Sequence, residues 1–249
     1  MDLASDRVRL ISSHRNRFIQ RGTNLVTDSK VVNEVANQKC AANLEVAHAF
    51  IRWRLLKRLL DVVGSAFLLT LLSPVFVILA GLIGCLDGTP VFYRRRVLGP
   101  NGEFDAYKFR TMVQNADALL AADATLQARF SQQFKLKRDP RVTRLGAWLR
   151  KYSLDELPQL VNVLRGQMSL VGPRMITAPE LEKYGVYQRL LLCVKPGLTG
   201  LWQVRGRQDV SYERRVQMDV QYLRQWSLVL DIAILLETPL RVIRSNGAY

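Results

Sequence analysis

The sequence is short of the residues on which much enzyme chemistry depends. Its 249 residues hold two histidines, His14 and His48, both ahead of any sustained patterning. A Ser-His-Asp triad, a Cys-His pair or a histidine-bound zinc in the main body is therefore disfavoured. The three cysteines, Cys40, Cys85 and Cys193, stand far apart. That spacing suits neither a disulfide framework nor a metal knuckle and points to a reducing compartment. Acidic side chains are also scarce, 21 Asp and Glu against 36 Lys and Arg, for a net charge of +15. Partners are thus expected to be anionic: phosphorylated substrates, acidic lipid or nucleic acid. Acid-base or nucleophilic work falls to carboxylates, Lys, Arg, Tyr or hydroxyls. Disorder of the whole is ruled out by a hydrophobic share of 49%.

Residues 1–45 are polar and mildly basic and lack periodicity, and Met1 to Ser13 has no signal-peptide core. They are expected to form a flexible basic extension to a single domain over 46–249. From Leu44 to Leu60 a helical pattern sets Phe50, Trp53, Leu56 and Leu60 on one face, with Arg52, Arg54, Lys57 and Arg58 alongside. That pattern suits a helix at a membrane surface. No charge then interrupts Val62 to Leu86, a run long enough to cross a bilayer. Ser73-Pro74 falls at its centre, where proline removes a helical hydrogen bond. Arg52 to Arg58 precede the run and Arg94, Arg95 and Arg96 follow it, so positive charge flanks both ends. A re-entrant segment over 59–86, broken at Ser73 and Pro74, and a kinked span stand as equals on these residues.

Beyond it the reading is α+β and mostly helical. A short strand at Val91 to Tyr93, the turn Gly99 to Gly102 and a strand over Phe104 to Met112 make a small β-hairpin. Helices are expected over Gln114 to Phe134, Arg144 to Arg150 and Ser153 to Arg165, with Gly166 as a stop. An extended segment at Met168 to Val171 precedes helices over Ala178 to Cys193 and Ser211 to Trp226, and an apolar segment closes the chain from Ser227 to Ile243.

The most informative local cluster is Ser153-Leu154-Asp155-Glu156-Leu157-Pro158-Gln159. Its spacing favours a capping box, with Ser153 as the cap and Glu156 reaching back. Adjacent carboxylates at a helix start also suit a nucleophile beside a divalent cation. Charge near a phosphate would then need nearby cations. The strand period sets Lys108 and Arg110 on one side, where they form either a phosphate grip or a solvated face. Arg174, after Gly172-Pro173, is a third cation. Lys195 to Gly200 is a glycine-rich turn without P-loop spacing. Arg205, Arg207 and Asp219 read more readily as surface structure.

The order of these segments is more specific than any one of them. The chain resembles the bacterial sugar transferases, the monotopic phosphoglycosyl transferases, over roughly Leu55 to Ile243. The likeness rests on the apolar segment with central Ser73-Pro74, Lys108 to Met112 (KFRTM), SLDELPQL from Ser153, NVLRGQMSLVGPR from Asn162 and PGLTGLWQVRGR from Pro196. The resemblance implies a re-entrant membrane helix, with the catalytic body on the cytoplasmic face of the bacterial inner membrane. It implies transfer of a sugar-1-phosphate from a UDP-sugar to polyprenyl (undecaprenyl) phosphate, with release of UMP, at the start of exopolysaccharide assembly. Asp155 matches the nucleophile that forms an aspartyl phosphosugar, and Glu156 matches the Mg²⁺ site, with Asp155 as a further ligand. Lys108, Arg110 and Arg174 match the substrate-binding cations, and Asp219 a further substrate-site residue. One departure is Met175, where the family usually has proline. A homodimer is left open. The rival reading is a membrane-anchored basic protein that binds nucleic acid or anionic lipid without catalysis. It lacks a helix-turn-helix, zinc finger or aromatic-basic motif, so no nucleic acid partner is expected.

Overall fold

The computed structural model describes residues 44–133, 136, 139–206 and 210–244. The expected extension over 1–45 lies almost entirely outside them, as does Arg207. Helix α1 (Leu44–Leu71) and helix α2 (Ser73–Leu86) are bent by 61° across Leu72. Pro74 sits in the first turn of α2, where its missing N–H breaks no intrahelical bond. Among the described residues no single helix is long and apolar enough to cross a membrane, but this bent pair passes that test together.

The uncharged run is not a free-standing helix. One face of α1 packs into the body of the protein through polar side chains at its base. Asp61 Oδ1 accepts from the Ser169 hydroxyl (2.9 Å) and from Leu170 N–H (2.8 Å). Lys57 Nζ donates to Asp231 Oδ2 (2.6 Å) and to Val171 O (2.9 Å). Arg58 donates to Val163 O and Leu164 O at the end of a later helix. The opposite face shows Leu55, Leu59, Val63, Phe67 and Leu71, one per turn and all exposed.

Strands β1 (Phe92–Gly99) and β2 (Gly102–Phe109) form the expected antiparallel hairpin, with Gly99 paired to Gly102. Strand β1 is longer than the Val91 to Tyr93 expected, because Arg94, Arg95 and Arg96 alternate into the ladder. Strand β2 ends at Phe109, and Met112 makes only an isolated bridge to Val142. The single helix expected over Gln114 to Phe134 is two, α3 (Ala116–Ala122) and α4 (Ala124–Gln133). Asp123 separates them with extended backbone, and its carboxylate accepts from Leu126 N–H to start α4. Helix α5 (Arg144–Lys151) is capped by Thr143, whose hydroxyl accepts from Gly146 N–H at 2.8 Å.

After a short 3₁₀ turn comes α6 (Gln159–Leu164), stopped near Gly166 in left-handed backbone (φ 78°). Strand β3 (Ser169–Val171) pairs in parallel with β4 (Gly197–Thr199), so the glycine-rich stretch from Lys195 is a strand and not only a turn. A Cβ on Gly197 would lie 2.1 Å from Gly172 N, so glycine is what lets these backbones meet. Between them lie α7 (Ala178–Leu181), a 3₁₀ segment (Glu182–Tyr187) and α8 (Gln188–Leu192), where one helix was expected. The break falls at Gly185, whose φ of 49° and ψ of −122° are not helical. Helices α9 (Leu201–Arg205), α10 (Tyr212–Arg224) and α11 (Leu228–Arg244) complete the chain. Cys85 is a free, exposed thiol.

The main core joins β1, β2, α6, β3, α9, α10 and α11 through Val97, Ala106, Leu160, Val163, Leu170, Leu201, Tyr222 and Ile234. Met175 belongs to it and is buried, so its side chain contributes packing there. A separate cluster packs α2 (Leu79, Ile83) on Phe109 and Leu149, with Leu154 at its margin. Asn162 ties α6 to the hairpin: its Oδ1 accepts from Tyr107 N–H (2.9 Å), and its Nδ2 donates to Asp105 O (2.7 Å) and Gln167 Oε1. Asn162→Ala leaves these buried groups unpaired and should lower stability by about 2–4 kcal/mol. A thermal melt unchanged from wild type would show that water replaces the amide.

Candidate active site

Leu154 inserts into the apolar cluster under α2, and that insertion draws the next residue inside. The turn Leu154–Glu156 is 3₁₀, and Ser153 before it is left-handed (φ 53°) with no capping bond from its side chain. The capping box expected from spacing is therefore absent. Asp155 is 7% exposed and Glu156 is half-buried. Lys108, near the end of β2, reaches both: its Nζ is 2.5 Å from Glu156 Oε1 and 3.7 Å from Asp155 Oδ2.

Burial pushes the Asp155 carboxyl above its usual range, against the pull of Lys108, and the neighbouring Glu156 charge adds to the rise. Burial acts on Glu156 too, but contact with Lys108, helped by Arg174 and Arg95, outweighs it and holds that carboxyl low. Burial thus raises one carboxyl while Lys108 holds the other low, so two adjacent acids are shifted in opposite directions. Arg150 of α5 adds positive charge near Asp155, and its Nε donates to the Thr111 hydroxyl (2.8 Å). Two adjacent carboxylates also suit a hard cation that completes its shell with water and substrate phosphates. Among the described residues no cluster of three or more acids, histidines or cysteines offers a fuller cage.

The other expected residues divide. Arg174 follows β3 directly, through the Gly172-Pro173 turn, and its charge reaches Glu156. Arg110 does not join Lys108: its Nη2 donates to Asp87 O (2.6 Å) and Gly88 O (2.5 Å), holding the C-terminal end of α2. Its Nε and Nη1 are buried and unpartnered. Asp219 of α10 is buried behind Arg174, where Oδ1 accepts from Arg174 N–H (3.4 Å) and Oδ2 from the Tyr184 hydroxyl (2.8 Å). Ser73 and Pro74 mark the bend, far along the chain from the carboxylates. Sequence reasoning missed Arg95, whose Nη2 donates to Glu180 Oε2 (3.2 Å), and Arg150, which no motif distinguished.

The site is thus a buried Asp155 and a half-buried Glu156 gripped by Lys108, with the charges of Arg150, Arg174 and Arg95 nearby. A family model described as bacterial sugar transferase matches residues 52–245, and the chain belongs to that family. It is 48% identical over 200 residues to a UDP-galactose-lipid carrier transferase of Erwinia amylovora, covering 79% of this chain and 42% of the relative. An undecaprenyl-phosphate galactose phosphotransferase of Salmonella typhimurium is also 48% identical, with the same coverage of each chain. The exopolysaccharide production protein ExoY of Rhizobium meliloti is 46% identical over 78% of this chain and 88% of its own. The chain thus spans less than half the length of the first two.

Two outcomes follow from this geometry. Ser153→Gly relieves left-handed strain and removes no cap, so it should keep or raise the melting temperature, whereas Ser153→Val should lower it. A loss with glycine would restore the capping role. Burial pushes Asp219 up to about 7, against an unfolded value near 4. The folded chain therefore holds that proton where the unfolded chain has released it, and the associated stability is full below about pH 4 and lost as pH rises through about 7. Melts of Asp219→Asn should lack this slope, and an unaltered slope would place the proton on another group.

Proposed function

We propose that this chain transfers a sugar-1-phosphate from a UDP-sugar to polyprenyl (undecaprenyl) phosphate, with release of UMP, as the first step of an exopolysaccharide. The observation that carries the reading is the geometry of the acid pair: a buried Asp155 beside Glu156, with Lys108 Nζ 3.7 Å from the first and 2.5 Å from the second. The names of the relatives support the donor and acceptor classes.

Asp155 Oδ attacks the β-phosphorus of the UDP-sugar. A new carboxyl–phosphorus bond forms as the bond from phosphorus to the bridging oxygen breaks, and that oxygen leaves on UMP. An oxygen of the lipid phosphate then attacks the same phosphorus, Asp155 leaves as carboxylate, and polyprenyl diphosphate-sugar is released. Both half-reactions carry charge towards oxygen, and Lys108, Arg150 and Arg174 are the cations placed to stabilise it. Mg²⁺ bound by Glu156 and Asp155 would add Lewis-acid charge neutralisation at the phosphates.

The exposed row Leu55, Leu59, Val63, Phe67 and Leu71 on α1, with Val77, Ile78, Leu82 and Leu86 on α2, supports seating in one leaflet as a re-entrant pair. Helix α11 shows a similar row, Val229, Ile232, Leu236, Leu240 and Ile243. Basic residues at both ends of the bent pair favour the cytoplasmic face of the inner membrane.

Detergent-solubilised protein, given Mg²⁺, undecaprenyl phosphate and a panel of UDP-sugars, should release UMP with at least one donor. Asp155→Asn should reduce that release roughly a thousandfold and abolish the acid-stable phosphosugar adduct on the protein, and Lys108→Met should slow turnover by about a hundredfold. Undiminished UMP release by Asp155→Asn would remove the covalent mechanism.

A further inference from the structure

Trp202 of helix α9 and Arg215 of helix α10 meet Arg174, the residue that follows the Gly172-Pro173 turn. The guanidinium carbon of Arg174 lies 5.2 Å from the ring centre of Trp202, and that of Arg215 lies 4.9 Å from the same ring. Neither guanidinium has a carboxylate ion pair among the described residues. Asp219, the acid behind them, is committed to the Arg174 backbone N–H and the Tyr184 hydroxyl. Burial and the nearby Arg174 charge both weaken the hold of Arg215 on its proton, against the smaller pull of Tyr212, Tyr184 and Glu180.

Two polar atoms of this cluster are buried without a hydrogen-bond partner, Arg215 Nε and Trp202 Nε1. Folded proteins rarely leave such groups unpaired unless a ligand, ion or water completes them. Trp202, Arg174 and Arg215 are each half-buried, so the cluster lies at the surface of the protein. Two fixed guanidinia on an aromatic shelf suit an oxyanion, since the planar fork accepts phosphate oxygens in pairs.

We propose that Arg215 and Arg174, stacked on Trp202, form a phosphate-binding subsite for a phosphate ester, distinct from the Lys108 grip on the acid pair. Arg174 is the hinge between the two, since its charge also reaches Glu156. The inference deepens the phosphotransfer reading and rests on it for the ligand class. Two sources share this chemistry, the nucleotide product and the lipid phosphate acceptor.

The test is a binding titration that needs no turnover. Intrinsic tryptophan emission of the full chain in detergent is followed with UMP, with farnesyl phosphate and with uridine, and Trp202→Phe identifies the part that belongs to the subsite. Saturable, Trp202-dependent binding is expected with UMP or with farnesyl phosphate, and the tighter of the two names the source. Uridine should bind at least tenfold more weakly than UMP if UMP is the ligand. Arg215→Gln should weaken phosphate binding by about tenfold or more, and Arg215→Lys should recover part of it. In turnover the same variant should raise KM for the matching substrate alone.

Binding of neither phosphate by folded wild type overturns the subsite. So does equal affinity in Arg215→Gln, or uridine binding as tightly as UMP where UMP is the ligand. If Arg215→Gln binds and turns over as wild type does, the subsite fails and the phosphotransferase stands. Arg215-dependent phosphate binding in a chain that cleaves no UDP-sugar would leave the subsite standing and overturn the proposed reaction.

Discussion

Two carboxylates that follow one another in a buried turn repel, and burial penalises each charge separately. Lys108 meets that constraint by standing between them, and much of the fold serves to keep it there. Strand β2 must end close to the turn, so the hairpin is pinned through Asn162 to α6 on one side. On the other, Phe109 is packed between Phe76 and Phe92, with centroids at 5.6 and 5.3 Å. The same apolar cluster takes Leu154, so the force that buries the turn also sets the depth of Asp155. Because the lysine contacts Glu156 more closely than Asp155, the two carboxyls are shifted in opposite directions, Asp155 up by burial and Glu156 down.

The bent helix pair belongs to this arrangement mechanically. Asp61 and Lys57 of α1 hold the backbone of β3, and β3 leads through Gly172-Pro173 to Arg174. Helix α2 is held at its C-terminal end by Arg110, and Thr143 donates to Asp87 Oδ2 there at 2.8 Å. Each half of the apolar segment is therefore attached to a different wall of the site. Lys57 and Asp231 form a buried ion pair further satisfied by Tyr222 and Trp226, which hydrogen-bond to the same carboxylate. A pair so fully bonded specifies the register of α1 against α11 more than it adds net stability.

The behaviour of individual residues shows where a linear reading ends. The break beside Ser73-Pro74, the hairpin turn at Gly99 to Gly102 and the stop at Gly166 were all legible, because proline and glycine act through their own backbone geometry. Ser153 was misread because a capping box and a left-handed turn share the same residue types, and Leu154's burial selects between them. Lys108 and Arg110 share a side only while the strand continues, and β2 ends at Phe109. Arg150 and Arg215 carried no local signal, since their partners lie in other elements.

The sequence by itself determined most element types, the apolar segment and its break, the scarcity of histidine and cysteine for covalent chemistry, and the order of motifs that marks the family. Those are properties of local backbone preference and composition, which neighbours along the chain set. Only the tertiary structure decided which cation meets which acid, that Asp219 lies behind Arg174, and that two arginines share one indole. Charges and packing act through space, and their energies depend on distances between residues that are remote in the chain.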